Sequence, residues 1–519
     1  MIPLVASIFM IVGIYVGMKF GTQGLDSTSL RFAAKQDKLS EVINYIDYSY
    51  VDPVKKEELI EDAINNLLDN LDPHSKYISA KDLEMYNEPL EGNFEGIGVQ
   101  FRVIRDTVTV IRPIKGGPSE RVGIIAGDKI VLVDDSLVAG VDVSNATIMS
   151  LLKGPKRSEV VVQVSRVGQD SLMPFTIVRD RIPIYSVDAA YMLNDETGYV
   201  KLAHFAKTTG HEMLDSLRSL ENQGMKNLVF DLRGNGGGIL QAAIMLTEVF
   251  LEKDKLIVYT EGKSQPRQDY RTTSTGRYAN LPMVVLIDEQ SASASEILTG
   301  ALQDNDRGII VGRRSFGKGL VQEQVELGDR SALRLTVARY YTPTGRSIQK
   351  PYGANDNYED DIKIRFENGE FYSADSIQFS DSLVYITPKG DTVYGGGGIM
   401  PDIFIPLEKG ADSGWYGSLF YSGALNDVVF ELSDRARKTY LGEEAFITNY
   451  GLQAGELKMI AKKLGLKKLN KDVLSELRLK AFIARGVYGE NAFYRIWNAE
   501  DAVIGRSLKE LEKTSQKGE

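Results

Sequence analysis

The chain has 519 residues, 43% of them apolar, enough for about three domains with filled cores. Its net charge of −10 and pI of about 5.2 disfavour nucleic-acid binding. With no cysteine, thiol catalysis, disulfides and a lipidated N-terminal cysteine are excluded; with three histidines, no H-E-x-x-H and His204 seven positions before His211, metal chemistry is poorly supported.

Residues 2–18 carry no charge and precede Lys19. That length is at the low end for a membrane span, about 17 residues. It also fits a signal peptide, although no basic n-region and no A-x-A site accompany it. Residues 1–20 are therefore expected to be a signal peptide or a membrane anchor. Lys19 and the basic residues after it argue mildly for an inside C-terminal side. Residues 29–90 read as a helical region. Asp52-Pro53 opens its second helix, whose apolar positions include Leu59, Ile60, Ala63, Leu67 and Leu68. His74, in Leu71-Asp-Pro-His-Ser75, is expected in a turn.

Glu95-Gly-Ile-Gly-Val-Gln-Phe101 opens a strand-rich segment. Residues 107–111 alternate, Gly116-Gly-Pro118 breaks the pattern, and a short helix begins at Ser119. Ala126-Gly-Asp128 makes a turn before the apolar strand 130–133, and Ser144 is placed to cap a helix to Leu152. Strands 160–164 and 174–178 flank a turn at Gly168-Gln169. This order, over residues 91–180, resembles a PDZ domain of the processing-protease type. The resemblance implies that the backbone of Gly96, Ile97, Gly98 and Val99 binds a terminal carboxylate while the peptide adds a strand to the sheet edge. Val99, Phe101, Ile148 and Leu151 are candidates for the apolar pocket. A plain core role competes for each, almost evenly for the last two.

Gly198-Tyr-Val-Lys-Leu-Ala-His-Phe205 reads as a strand, with His204 packing or lying beside substrate rather than binding metal. Leu228-Val-Phe230 is a short buried strand, followed by Asp231-Leu-Arg-Gly-Asn-Gly-Gly-Gly238 and a helix over 239–250. Strand, glycine loop and helix invite a dinucleotide reading. The G-x-G-x-x-G spacing fails at Ile239, and no G-K-[ST] follows, so a phosphate loop is weakly supported.

The most informative stretch follows. Met283-Val-Val-Leu-Ile287 is an apolar strand closed by Asp288 and leading to Ser291-Ala-Ser-Ala-Ser-Glu296 at a helix start. A helix N-terminus offers free N–H groups and favours a forming anion, such as the oxyanion of acyl transfer. Ser291 and Ser295 would share a helical face and Ser293 points elsewhere, but spacing alone does not choose the nucleophile. At least one serine is expected to cap the helix. Without a suitable histidine, Lys318 in Phe316-Gly-Lys-Gly319 is the natural base, provided burial lowers its pKa from about 10.4. A solvated loop lysine is the bland alternative. Residues 319–327 alternate like a strand, which would put Lys318, Leu320 and Gln322 on one face and let Gln322 accept a hydrogen bond from Lys318.

Residues 350–394 form a polar insert that reads as hairpins, with turns at Asn368-Gly369 and Lys389-Gly390. The cluster Gly395 to Gly398 reads as a structural turn. From Asp412 helices return. Residues 456–466 and 473–483 are amphipathic, and Lys462, Lys463, Lys467 and Lys468 read as solvated helix faces.

From about Leu71 to Pro406 these residues resemble the C-terminal processing peptidases, also called tail-specific proteases, which use a Ser/Lys dyad. The motif Ser291-Ala-Ser-Ala-Ser-Glu-Ile297 with Phe316-Gly-Lys-Gly319 and Gln322 is specific to that family. Tyr340-Tyr-Thr-Pro343 and Gly398-Ile-Met-Pro-Asp402 match further segments. The resemblance implies Ser293 as nucleophile, Lys318 as base and Gln322 as its support, with the amides of Gly237 and Ala294 as oxyanion hole. Glu296 and Asp304 match supporting acidic positions. Gly236 departs from the family, where many relatives carry proline, at an expected cost in rigidity.

The implied architecture is multidomain α+β: a PDZ domain, an α/β crotonase-like serine protease core over 181–410 with the insert at 350–394, and helical N- and C-terminal regions, the latter over 411–519. The implied function is a serine endopeptidase cutting proteins near their C-termini, exported to the cell envelope. Its partners would be protein substrates with free apolar tails, with room for an adaptor protein and membrane contact through residues 2–18. No metal, nucleotide or organic cofactor is called for. Two rivals stand beside it. A non-catalytic PDZ binding protein would be favoured by a missing dyad residue, and a crotonase-type acyl-CoA enzyme by CoA binding.

Overall fold

The computed structural model describes residues 38–353, 358–378, 383–408, 414–470 and 472–517. The apolar segment 2–18 lies outside the described residues. Among the described residues no helix is long and apolar enough to cross a membrane. The chain forms two compact units, one ending at Tyr77 and the other beginning at Ile78.

In the first unit, helices Lys38–Ser49 and Lys56–Asp69 bury Ile43 and Leu68, while Ile60 and Leu67 stay exposed. A pair of helices has only one shared face to cover, so part of the expected apolar set faces out. The turn at His74 is built by Asp72, whose carboxylate accepts from His74 N–H at 2.8 Å, Ser75 N–H at 2.9 Å and Ser75 Oγ at 2.6 Å.

In the second unit, helix Leu83–Glu91 and strand Asn93–Gly96 precede an antiparallel sheet in the order Val99–Val103, Val108–Pro113, Lys129–Val133, Glu159–Ser165, Met173–Val178. Alternation decides its faces: Val160, Val162 and Val164 are buried while Val161 between them is exposed. Helix Asn145–Leu152 covers this sheet, capped by Ser144 Oγ, which accepts from Thr147 N–H at 3.1 Å.

The core is a six-stranded sheet. Val187–Met192 runs antiparallel to Thr197–Leu202; then Asn227–Asp231, Met283–Ile287, Ile309–Gly312 and Ile403–Phe404 follow in parallel. Helices Thr209–Asn222, Leu240–Glu248 and Ala294–Asp304 bury one face. The last helix, Ala502–Lys517, covers the other through Val503, Ile504 and Leu511. Burial on both faces is why Met283 to Ile287 is apolar without alternation. The strand expected to reach Phe205 ends at Leu202, and His204 follows it with a half-buried ring. An antiparallel sheet carries Leu256–Glu261, Gln268–Arg271, Leu320–Glu326 and Ala332–Tyr341. The C-terminal helices from Trp415–Tyr421 to Glu490–Trp497 pack around Leu419, Leu432, Phe446, Ile460 and Leu479.

The insert differs from a pair of hairpins. Lys389-Gly390 does turn a hairpin, between Val384–Ile386 and Thr392–Tyr394. Asn368-Gly369 instead ends a helix, Asp361–Glu367, with Gly369 at φ +81°. A left-handed glycine closes a helix as readily as it turns a hairpin, so the dipeptide alone does not separate the two.

Candidate active site

Strand register brings three loops together. Asp231 pairs with Leu286, and Ile287 with Gly312, so three neighbouring parallel strands end side by side. From their carboxyl ends leave the glycine turn 231–238, the serine loop 288–293 and the lysine loop 313–319. Crevices at this edge of an open α/β sheet are where ligands bind.

The three serines separate by their partners. Ser291 Oγ donates to Leu232 O at 2.9 Å and Ser295 Oγ to Asn235 O at 2.9 Å, and both are fully buried. They latch the serine loop and the first turn of the helix after it to the glycine turn, and their protons are committed. Ser293 is part-exposed, with φ +55° and ψ −112°. A non-glycine residue at such angles costs about 1–3 kcal/mol, and such strain gathers at active sites. It is also the residue that opens helix Ala294–Asp304. The Ala294 N–H has no hydrogen-bond partner among the described residues, so the helix start presents it as an open donor.

Glu296 organises both sides of the site. It is 1% exposed and accepts from four donors: Ser293 N–H at 2.8 Å, Ser315 Oγ at 2.5 Å, Gly317 N–H at 2.7 Å and Lys318 N–H at 2.9 Å. Burial pushes its pKa up to about 7, against the pull of those hydrogen bonds. One oxygen, Oε2, receives both the Ser293 and the Lys318 amide. Tyr340 holds the opposite polarity, with its hydroxyl 3.1 Å from Ser293 O and 2.5 Å from Lys318 O. Complete burial drives that phenol well above its usual pKa, so it stays an O–H donor. The Ser-x-x-Glu spacing of a capping box was the available signal for Glu296. Tyr340 is marked in the sequence only as the start of the matching segment Tyr340-Tyr-Thr-Pro343; its place between Ser293 and Lys318 carries no local signal, because it arrives from a different sheet.

Lys318 is half-buried, and its Nζ donates to Gln322 Oε1 at 2.9 Å. A register shift between Val321 and Gln322 bends the strand there, which re-aims Gln322 relative to strict alternation. Asp304 lies elsewhere on the helix. It pairs with the fully buried Arg346 at 2.6 Å and accepts from Thr344, fixing the helix rather than facing Ser293.

Gly237 sits against the serine. At φ +99°, a side-chain carbon there would lie 2.7 Å from Ala292 O, 2.8 Å from Ser293 Cβ and 2.9 Å from Ala294 N. Its N–H donates to Asn235 Oδ1 at 2.9 Å, and Asn235 Nδ2 donates to Leu202 O at 3.0 Å. Asn235 is thus a buried member of the site that the glycine pattern concealed. Gly236 faces open space.

A second concavity of about 700 Å³ lies at the small antiparallel domain, with Asn426 of the C-terminal helical region also lining it. Gly96, Ile97, Gly98, Val99 and Phe101 form one wall, and Asn145, Met149 and Leu152 the other. Strand Val99–Val103 is the sheet's edge strand and leaves one side unpaired. Gly98, at φ +71°, turns the chain into it. Of the expected pocket residues, Val99 and Phe101 line the groove. Ile148, 1% exposed, and Leu151 pack into the domain core instead, because the helix presents Asn145 and Met149 to the groove.

Comparison with known proteins bears on both domains. The sequence profile of peptidase family S41 matches residues 196–363, and that of the PDZ domain matches residues 96–174. A carboxy-terminal-processing protease of Bartonella bacilliformis is 34% identical over 66% of this chain and 80% of its own length. Carboxy-terminal processing protease CtpA of Bacillus subtilis is 33% identical over 61% of this chain and 67% of its own. A solved structure named photosystem II D1 C-terminal processing protease is 28% identical, spans 72% of this chain and 87% of its own, and has a TM-score of 0.37.

Proposed function

The chain belongs to peptidase family S41, the carboxy-terminal processing proteases, and is a serine peptidase with a PDZ domain; from that premise we propose that it cleaves proteins near their C-termini through Ser293 and Lys318, with the tail held in the PDZ groove. The observation that carries the dyad is the shared anchorage of its members. Glu296 binds the amides of both residues, and Tyr340 lies between their carbonyls.

Lys318, in its neutral form, takes the proton of Ser293 Oγ as that oxygen attacks the scissile carbonyl carbon. Gln322 aims the amine. Negative charge grows on the carbonyl oxygen. The Ala294 N–H meets it directly, and the Gly237 N–H exchanges the neutral oxygen of Asn235 for this anion, a stronger acceptor. Collapse breaks the C–N bond, and the leaving amine takes the proton from Lys318. Water, deprotonated by the same lysine, then attacks the acyl carbon; the C–O bond to Ser293 breaks, Lys318 returns the proton to Ser293 Oγ, and the new C-terminus leaves. Upstream, a tail lies beside Val99–Val103 as an added strand, its carboxylate at the turn of Gly96, Ile97, Gly98 and Val99 and its apolar side chains toward Phe101, Met149 and Leu152.

The test is hydrolysis of an unfolded reporter ending in an apolar, free-carboxylate tail. Wild type should cut it, Ser293→Ala and Lys318→Ala should not, and an amidated tail should be cut less well. Activity surviving Lys318→Ala would rule out the dyad, and indifference to amidation would rule out carboxylate recognition. We also propose a cell-envelope location, on the strength of residues 2–18; fractionation of a tagged full chain into the cytosol would overturn it.

A further inference from the structure

The insert reaches back to the lysine loop. Helix Asp361–Glu367 carries Arg365, 5% exposed, whose Nη2 donates to Arg314 O at 2.7 Å and Nη1 to Ser315 O at 3.0 Å. Its Nε donates to Glu370 Oε2 at 2.8 Å, and Glu370, also 5% exposed, receives Arg314 Nη2 at 2.9 Å. A buried guanidinium is therefore matched by a buried carboxylate. Beside it, the backbone N–H of Lys350 donates to Gly317 O at 3.0 Å. The Lys350 ammonium lies 3.9 Å from the Phe316 ring centre, 4.0 Å from that of Tyr358 and 3.1 Å from Asp361 Oδ2.

The loop is thus gripped by polarity. On its donor side, Ser315 Oγ and the amides of Gly317 and Lys318 converge on Glu296, while the amides of Ser315 and Phe316 go to Ile399 O and Ser291 O, each at 3.0 Å. On its acceptor side, the carbonyls of Arg314 and Ser315 go to Arg365, that of Gly317 to Lys350 and that of Lys318 to Tyr340. Two of these four carbonyls depend on one side chain from the insert. The loop is also closely packed: Gly317 sits at φ +91°, and a side-chain carbon there would come 3.0 Å from Gly398 N.

We propose that Arg365 is a positioning residue for the peptidase reaction: by holding the peptide units of residues 314 and 315 it places the amine of Lys318, three residues on, for proton transfer with Ser293. This rests on the reading of Lys318 as base. Arginine is suited to the task because its planar fork serves two successive carbonyls and Glu370 together, where an ammonium on a flexible stem serves one direction at a time. The insert is then part of the catalytic apparatus rather than an appendage.

The experiment uses the full chain and the free-carboxylate reporter, with kcat and KM separated, a thermal melt for each variant, and Lys318→Ala alongside. Arg365→Ala should lower kcat by about 100-fold, the scale of a 1 Å misplacement, and leave KM within about twofold. Guanidinium chloride at about 10 mM should restore kcat at least tenfold by refilling the fork site, and equal sodium chloride should not. Arg365→Lys, which keeps the charge, should fold as wild type and lose about tenfold in kcat. If Arg365→Ala melts as wild type and keeps its kcat, the proposal is overturned. If Arg365→Ala does not fold, Arg365→Lys decides, and wild-type kcat in that folded variant overturns the proposal equally. If Lys318→Ala remains active, the base assignment falls instead, whatever the Arg365 variants show.

Discussion

The peptidase centre and the PDZ groove solve different problems with the same backbone chemistry. At the centre, buried side chains occupy the backbone: Glu296 takes three amides and a hydroxyl, Tyr340 lies between two carbonyls, and Ser291 and Ser295 spend their protons on the glycine turn. In the groove the edge of Val99–Val103 is left unpaired, and the walls are mostly backbone and apolar side chains. The first arrangement fixes atoms within a narrow tolerance, as proton transfer requires. The second leaves a strand edge open, which under the proposed reading would take any chain that supplies a strand edge and a carboxylate. Mutational effects should therefore be steep at the centre and graded in the groove.

Beyond Ser293 and Lys318 themselves, the largest effect is expected at Gly237. Gly237→Ala forces a methyl group to within 2.9 Å of Ala292 O, Ser293 Cβ and Ala294 N and strains a backbone at φ +99°. The loss in kcat should be at least about 10²- to 10³-fold, the scale of an oxyanion donor. Unaltered kcat in a folded variant would place the oxyanion elsewhere.

Glu296→Gln sharpens the contrast through pH. The wild-type carboxyl is raised from 4.5 to about 7 by burial, so the folded state binds a proton that the unfolded state has released. The sign follows: this group's contribution to stability is full below pH 4.5, falls as pH rises, and levels off above 7. The span is on the order of 3 kcal/mol at most. Denaturant midpoints at pH 5 and pH 8 should show wild type losing more stability than Glu296→Gln over that interval. The amide also turns a donor toward N–H groups that need an acceptor, so the variant should be less stable at pH 5 by about 1–3 kcal/mol. Parallel pH curves for the two proteins would contradict this account.

In the groove, Met149→Ala should raise the Kd of a free-carboxylate apolar peptide by about three- to tenfold, the scale of losing one or two buried methylenes. Turnover at saturating substrate should stay as in wild type. A collapse of kcat would mean that the groove and the centre are not separable in this way.

Legibility divides along the same line. The apolar run Met283 to Ile287, the serine cluster and Phe316-Gly-Lys-Gly319 are local in sequence, and local pattern locates the loops. The choice among three serines was not local. It depends on Leu232 and Asn235, whose carbonyls occupy Ser291 and Ser295 from an adjacent strand's turn. Tyr340 and Arg365 lie 22 and 47 positions beyond Lys318; Tyr340 enters only through the resemblance of Tyr340-Tyr-Thr-Pro343, with no role attached, and nothing beside Arg365 marks it. Ile148 and Leu151 illustrate the converse: an apolar helix signals burial, but which turn of it meets the groove is set by how the helix sits on the sheet.

The smallest expected effect concerns Gly236, where the resemblance to relatives suggested proline. It lies between two residues that are tightly held: Asn235 donates to Leu202 O, and Gly237 abuts the serine. Gly236 itself is not among the residues with positive φ and has open space around its Cα. No hydrogen bond from its N–H to the described residues would be lost. Proline there removes freedom mainly from the unfolded chain, so Gly236→Pro should stabilise by about 0.4–1 kcal/mol. Because the neighbours already fix the turn, kcat should not move. A gain in kcat without a gain in stability would mean that the turn fluctuates in the native state, and that the centre is less rigidly held than its hydrogen bonds imply. A loss of both would place residue 235 in a backbone conformation that proline disfavours in its predecessor.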